Sequence, residues 1–416
     1  MKRFIMLCAC VIGSMSTLFA SSDEVKTGWN FGPLPAVGYS TDLGFQYGAL
    51  CEIFYYGDGS TFPAPKHRIY VEASTMTKGS SILDFVYDSK YLIPNIRTTL
   101  TVSYLPDNMY SFYGFNGYMS PYNAELGAGF YSVNREYFRS YLDLQGSLGG
   151  NFSWAAGLGF YKYELSPVKV ESYVGKPSLF NEYLSSGLIS KQECAGKHLE
   201  FRAGLVHDTR DAEADPTRGF FTEAIAIYSP DLFEGEGADF AQLAITHRGY
   251  IPVVGDKLTF AYRLALQSAI YGDVPLYHQQ NIATLLLRRT YSEGLGGVNS
   301  LRGVLRNRAV GQGYALSNLE LRYRFCNFKF IGQNWHLGLT PFVDMGQVIN
   351  PFRLEKMRAS SNPLIYSGSE ESLHSAAGLG FEIAMNRNFI INVEYGKALS
   401  KQDGTSSFAI ALNYLF

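Results

Sequence analysis

The strongest constraint on this chain is a two-residue rhythm. In Asn318-Leu319-Glu320-Leu321-Arg322-Tyr323-Arg324-Phe325 every odd position is apolar and every even one polar. Successive side chains of a strand point to opposite faces, so such a run has one apolar and one polar surface. The same phase recurs in residues 378–383, where it places Glu382 on the polar face. In residues 389–395, Asn392 and Glu394 alternate with Ile391, Val393 and Tyr395. The final run, 408–416, groups Phe408, Ile410, Leu412, Tyr414 and Phe416. A soluble sandwich also alternates, but its solvent face is the polar one, which suits an exposed terminal Phe poorly. With 30 Tyr, 29 Phe and 42 Gly in 416 residues, aromatic girdles at two membrane interfaces account for the composition better. No mature segment approaches the ~18 unbroken apolar residues of a membrane helix. The expected fold is therefore all-β, a transmembrane antiparallel barrel with its polar set inward and its apolar set toward lipid, since only closure satisfies every strand edge in a bilayer.

The N-terminus reads as a secretory signal in residues 1–20. Lys2 and Arg3 precede an apolar core at 4–12 and a small-residue region ending at Ala20, although Leu18 departs from the usual small-residue pattern. Residues 21–40, which carry Pro33 and Pro35, read as a short periplasmic lead-in, with the opening strand expected within 43–54. Residues 21–416 then form one barrel domain. At about 10 residues per tilted strand plus connections, the length suits 16 strands, while 14 or 18 also fit the arithmetic. The longest irregular inserts are 166–197, 229–239 and 353–372, and apolar spacing near 3.6 in 179–188 predicts a short surface helix. Cys51, Cys194 and Cys326 form neither a disulfide framework nor a metal knuckle. A net charge of −2 gives no basic footprint for nucleic acid.

One stretch departs from the rhythm. Gly296-Gly297-Val298-Asn299-Ser300-Leu301-Arg302-Gly303 holds a single cation among glycines and small polar residues, between apolar, strand-like runs at 283–287 and 315–325. Glycine permits a close backbone approach. A cation in such a place needs a fixed anionic partner. Residues 340–346 supply one: Asp344 closes an apolar run just before Gly346. We read a loop tip folded inward and pinned from Arg302 to Asp344, with Glu382 as a second acceptor. A guanidinium and a carboxylate can form a two-pronged pair that lysine cannot copy. The plainer alternative is an unrelated surface arginine and a strand-end aspartate. A dry pair costs about 3–5 kcal/mol to break, and a wet one about 0–1 kcal/mol.

Other polar groups read as structural. Asp208, Arg210 and Asp211, followed by Pro216 and Gly219, suit a hairpin whose charges satisfy one another, because neighbours on a strand cannot converge on one ion. Ser300 lacks the Gly-x-Ser-x-Gly frame of a hydrolase nucleophile. His67, His198, His207, His247, His278, His336 and His374 show no metal spacing and are expected on rims, loops or girdles. No catalytic residue, metal site or cofactor is expected. Glu320, Arg322, Arg324, Asn392 and Glu394 would either line a conductive path or fill the interior with ion pairs.

Several of these motifs together resemble the bacterial surface-antigen superfamily, the barrels of BamA/TamA assembly factors and two-partner secretion transporters. Residues 296–303 are similar to its inward-loop motif, although Leu301 and Val304 depart from it. Residues 342–346 are similar to its Phe-x-Asp-x-Gly strand motif, and 208–211 with 216–220 to its mid-barrel hairpin. Tyr113-Gly114-Phe115-Asn116-Gly117 is similar to a weaker early motif, and Phe416 to its C-terminal export signal. The resemblance implies an outer-membrane barrel acting without enzymatic chemistry in assembly, insertion or export of outer-membrane proteins. It implies as partners outer-membrane lipid, a client barrel or secreted polypeptide, and the machinery that inserts the barrel itself. The relatives carry periplasmic POTRA repeats for which no room is expected between Ala20 and the first strand, so the chain resembles the barrel-only branch. The alternative is a passive conduit or a surface-exposed binding barrel.

Overall fold

In a computed structural model the described residues are 25–62, 64–233, 238–284, 294–330, 332–385 and 389–416. The expected signal lies outside them. The strand segments are β1 (Trp29–Ser40), β2 (Gly44–Tyr55), β3 (His67–Met76), β4 (Ser81–Ile93), β5 (Ile96–Tyr104), β6 (Asp107–Ser111), β7 (Ser132–Gly149), β8 (Phe152–Ser166) and β9 (Ala195–Asp208). They continue with β10 (Gly219–Ser229), β11 (Phe240–Val254), β12 (Leu258–Gly272), β13 (Gly313–Phe330), β14 (Gln333–Asn350), β15 (His374–Met385), β16 (Phe389–Ala398) and β17 (Ser406–Leu412). Each pairs antiparallel with its neighbours, and β17 meets β1 to close the sheet. β5 and β6 both pair with β7 and are two halves of one wall strand. The break falls at Leu105-Pro106, where proline has no N–H to give to a ladder. The wall is thus a closed antiparallel barrel of 16 strands.

The rhythm sets the facing of every strand examined. Asn318, Glu320 and Arg322 are buried inside, whereas Leu321, Tyr323 and Phe325 are exposed on the outer wall. Glu382, Asn392 and Glu394 are likewise inside. Aromatic and imidazole rings crowd the short-turn end of the outer wall. Trp29 lies 4.8 Å from Tyr55, Phe152 stacks on His207 at 4.1 Å, and Phe328 stacks on Trp335 at 6.4 Å. These are the places a girdle requires, where an amphipathic ring spans apolar and wet surroundings.

The opposite end carries the long loops, and they pack over the lumen. The helix expected in 179–188 forms at Leu179–Ser185. Ser178 caps it by accepting from the Asn181 N–H at 3.3 Å. Its Leu179, Phe180 and Tyr183 are buried in a shared core with Phe112, Phe115, Phe352 and Met357 from neighbouring loops. At the short-turn end, the 208–219 hairpin forms as read. Arg210 reaches both Asp208 oxygens at 2.9 Å, and Asp211 accepts from the Thr217 N–H and hydroxyl at 2.8 and 2.6 Å. Gly219 lies at φ +91°, and a Cβ there would stand 2.2 Å from the Thr209 carbonyl oxygen, so only glycine closes this turn.

Three expectations are corrected. Residues 29–40 are not a lead-in but the first strand, so the opening strand precedes the 43–54 run, which is β2. Pro33 and Pro35 suit a lead-in and an edge strand alike, since proline is tolerated where a strand side is unpaired, and β1 is such a strand on its β17 side. The closing strand does not reach the C-terminus. Asn413 at φ +69° turns the chain, and Phe416 is buried within the lumen against Tyr250. Asparagine tolerates this left-handed conformation better than most residues. Finally, the run at 283–287 is not a strand where it is described, at residues 283–284; the rest lies outside the described residues.

A nitroxide placed at Leu321 or Leu379 should sense oxygen dissolved in a bilayer and resist a water-soluble relaxation agent. Equal exposure to both agents would contradict the assigned facing.

Candidate functional site

Between β12 and β13 the chain turns inward as a hairpin. Leu295 and Ala309 exchange backbone bonds of 3.0 Å in both directions, and Gly297 N–H donates to the Val304 carbonyl at 3.0 Å. Ser300 Oγ accepts from the Gly296 N–H at 2.9 Å and lies 2.9 Å from the Gly294 carbonyl, so this serine shapes the loop. Leu295, Leu301, Val304 and Ala309 bury against Tyr314, Leu316, Val348 and Ala376 of the wall. Gly346 offers the flat place beneath them, since a Cβ there would stand 3.1 Å from Leu295.

At the tip, Arg302 is 1% exposed and Asp344 is fully buried. Arg302 Nε and Nη2 donate to the two Asp344 oxygens at 2.8 and 2.9 Å, and the Arg302 backbone N–H adds a third bond at 2.9 Å. Asn318 Nδ2, directly across the ladder from Asp344, donates a fourth at 2.7 Å. Arg302 Nη1 lies 2.6 Å from Glu394 and 2.7 Å from Glu320, and the guanidinium sits 3.6 Å over the Phe342 ring. Charge, hydrogen-bond geometry and a π-face all hold one cation, and the carboxylate's bonding capacity is well used. Gly303 and Gly396 let the tip lie flat on β16. A Cβ on Gly396 would be 2.4 Å from the Arg302 carbonyl oxygen, and one on Gly303 2.7 Å from the Gly396 carbonyl carbon.

Glu382 is not a partner of Arg302. It faces Gly338, far along β14 from Asp344, roughly 20 Å at ~3.3 Å per residue. Shared lumen phase placed it inside, but strand stagger gave the second and third acceptor roles to Glu320 and Glu394. The expected hairpin residues Asp208, Arg210, Pro216 and Gly219 lie at the short-turn end, apart from this lock. Phe416 is linked to it indirectly. Arg302 meets Glu320, Glu320 meets Arg322 at 2.7 Å, and Arg322 donates to the Phe416 carbonyl oxygen at 3.0 Å. Of the two readings of the lumen charges, the interior ion-pair network is the one that forms. Arg324 forms a separate pair with Asp215 of the 208–219 hairpin, at 2.5 Å.

Two further arginines of the loop escaped the sequence reading. Arg306 pairs with Asp107 of β6 at 2.8 Å. Arg308, fully buried, donates to the backbone carbonyls of Gln402, Gly117 and Ser120 at 2.6, 2.9 and 3.0 Å. Their signal was available: Arg306-Asn307-Arg308 repeats in an apolar, Gly-rich loop the situation that singled out Arg302. The early motif at 113–117 is their counterpart. Asn116, at φ +59°, bonds Phe352 N–H and C=O at 2.7 Å each, while its own N–H donates to Val310. The histidines also depart from expectation. His67, His207 and His247 lie on the outer wall and His278 on the stem of the inward loop, but His198, His336 and His374 are buried at interior strand positions. His198 pairs with Glu200 two residues on, His278 reaches the same Glu200 from a distant segment, and His374 pairs with Asp403.

A lumen-crossing arginine on an inward loop, locked to a strand aspartate, is now joined by comparison with known proteins. The Omp85 superfamily domain matches residues 76–414. The chain belongs to the Omp85 superfamily. Among solved structures, this Omp85 barrel is similar to BamA from Haemophilus ducreyi lacking POTRA domains 1–3, with TM-score 0.59 and 16% identity over 94% of this chain and 71% of that one. It is also similar to CdiB from Escherichia coli, with TM-score 0.59 and 12% identity over 94% of this chain, and spans 64% of that protein. No curated protein matched the sequence significantly.

In this Omp85 barrel, Arg302→Ala should lower unfolding stability by about 3–5 kcal/mol, because it strands Asp344 and Glu394 without their cation and leaves Glu320 with Arg322 alone. The midpoint of heat-modifiable gel mobility measures it, and a loss below about 1 kcal/mol would mean the pair is wet. Gly396→Ala should loosen the tip while leaving every charge in place. It is read as faster proteolysis within the loop, and unchanged cleavage would contradict the flat seating.

Proposed function

We propose that this barrel inserts or exports polypeptides at a bacterial outer membrane, reached through its cleaved signal, by opening sideways between its first and last strands. The mechanism is non-enzymatic: it exchanges backbone hydrogen bonds and requires no cofactor. The observation that carries the proposal is the weakness of the closing seam. The β1–β17 ladder consists of Tyr39 with Ile410 and Ser40 with Ala409, extended at its end by Thr41, whose N–H donates to the Phe408 carbonyl at 2.9 Å and whose hydroxyl accepts from the Phe408 N–H at 2.8 Å, whereas the β1–β2 ladder runs unbroken from Trp29–Tyr55 to Ser40–Gly44. The seam ends at Ile410 although Ala411 and Leu412 still pair with β16, and the inward turn at Asn413 takes the remaining residues away from it. Most of β1 therefore offers an edge, and an unpaired edge templates an incoming strand through its backbone groups. Similarity to BamA and CdiB supports a client barrel or a secreted polypeptide as the strand received. Outer-membrane lipid would be the other partner of the opened seam, and the assembly machinery that of the barrel's own insertion.

The lock contributes by holding the wall beside the seam, on the β17 side. Arg302 gathers β13, β14 and β16 onto one loop tip, so opening at β1–β17 need not unravel the sheet behind it.

In a background with Cys51, Cys194 and Cys326 replaced, Ser40→Cys with Ala409→Cys should form a disulfide across the seam. Oxidised, this variant should fail to rescue outer-membrane protein levels after depletion of the native protein, and reduction should restore them. Rescue by the oxidised form would sink the lateral-opening mechanism. An outer-membrane proteome unaffected by depletion would sink the assembly and export role itself.

The loop, the tail and the packed loop cap occupy the interior, so the wild type should be nearly silent in planar bilayers. Arg302→Ala should give resolvable conductance steps. A steady, porin-like opening of the wild type would favour a passive conduit instead.

A further inference from the structure

A second polar cluster lies apart from the loop lock, in the upper lumen beneath the long loops. His198 and Glu200 are two residues apart on β9 and share its inner face. His278 comes from the stem of the inward loop, in a turn where its N–H donates to the Pro275 carbonyl at 2.8 Å. Glu200 Oε1 lies 2.6 Å from His278 Nε2 and 3.3 Å from His198 Nε2. The ligand atoms of all three residues lie within 4.8 Å of one another, and all three residues are buried.

The rings are held so that the same nitrogen of each faces the carboxylate. His278 Nδ1 is engaged from behind by the Asn281 amide at 2.5 Å and the Tyr163 hydroxyl at 3.3 Å. His198 is stacked on Tyr161 at 5.1 Å, and the two imidazoles meet edge-on at 4.6 Å. Outer partners that fix a ring's tautomer and aim are a recurrent feature of metal-binding histidines. Which Asn281 atom faces His278 is an assignment; with its carbonyl turned to the ring, it accepts the Nδ1 proton and frees Nε2 as a ligand.

We propose that His198, Glu200 and His278 bind one divalent transition-metal ion, of which zinc is the representative. The two Nε2 atoms and a Glu200 oxygen are the protein ligands, and a fourth position is left for water. Zinc bonds of about 2.0–2.1 Å at tetrahedral angles separate ligand atoms by roughly 3.4 Å, so metal binding would spread the Glu200–His278 pair from 2.6 Å and draw together ligand atoms that now lie within 4.8 Å of one another. Two imidazoles and one carboxylate favour zinc, iron or nickel over magnesium and calcium, which take oxygen shells. The ion would staple β9 to the stem of the inward loop, a connection that the Arg302 lock does not make.

The test uses the full chain, folded in detergent, stripped with chelator and titrated with zinc against a chromophoric competitor. About one equivalent should bind, and affinity should fall by more than about tenfold in His278→Gln and in Glu200→Gln but not in the outer-wall variant His67→Gln. Substoichiometric binding to the wild type, or equal binding to all variants, overturns the site. If the interior variants do not fold, X-ray absorption of the cobalt-loaded wild type decides. Two imidazole nitrogens in the first shell support the site, and an all-oxygen shell overturns it.

Discussion

The architecture depends on one desolvated cation. Arg302 sits inside a barrel, surrounded by three carboxylates and an aromatic face, on a loop whose own backbone joins in the binding. Burying a guanidinium alone would be prohibitive, so the loop tip is stable only at the point where β13, β14 and β16 bring Glu320, Asp344 and Glu394 together. The converse also holds, since those three acids would repel one another across the lumen without it. Loop and wall therefore specify each other, and the glycines at 303 and 396 are the steric condition for the meeting.

From that point order spreads in two directions. Toward the long loops, Arg306 and Arg308 tie the same hairpin to β6 and to the 117–120 and 402 backbones, making the inward loop the foundation of the cap. Toward the short turns, Glu320 and Arg322 carry the network to the C-terminal tail. Arg322 lies 3.9 Å over the Tyr414 ring and 5.1 Å from that of Phe416. The residues that shorten the β1–β17 seam are thus held by the same electrostatic chain that pins the loop. A weak seam and a strong interior are two consequences of one arrangement, because each residue drawn inward is lost to the closing ladder.

Much of this was legible beforehand. The facing of β13, β15 and β16, the barrel class, the inward loop and the Arg302–Asp344 pair follow from local signals, whereas chain length fits 14, 16 or 18 strands and the closed sheet decides for 16. Alternation reports which face a residue occupies, and an isolated arginine among glycines reports a buried cation in need of a partner. Misreadings arose where a local signal had two meanings. Pro33 and Pro35 mark either a linker or an edge strand, and they lie in an edge strand. Residues 408–416 alternate to the end, but Asn413 breaks the strand, a choice made by the Tyr250, Arg263 and Arg322 surroundings that await Phe416.

The sequence by itself determined the fold class and the inward or outward faces of β13, β15 and β16, because a period of two is a property of neighbouring positions. It also determined that Arg302 needed a carboxylate, because the energetic requirement of a buried charge does not depend on where the partner is. Only the tertiary structure decided which carboxylates answer it, passing over Glu382 for Glu320 and Glu394. It likewise brought His278 to His198 and Glu200, and left β1, fully paired with β2, with only a short ladder on its β17 side. Those outcomes rest on register, stagger and closure, which relate residues far apart in the chain and exist only once the sheet has curled upon itself.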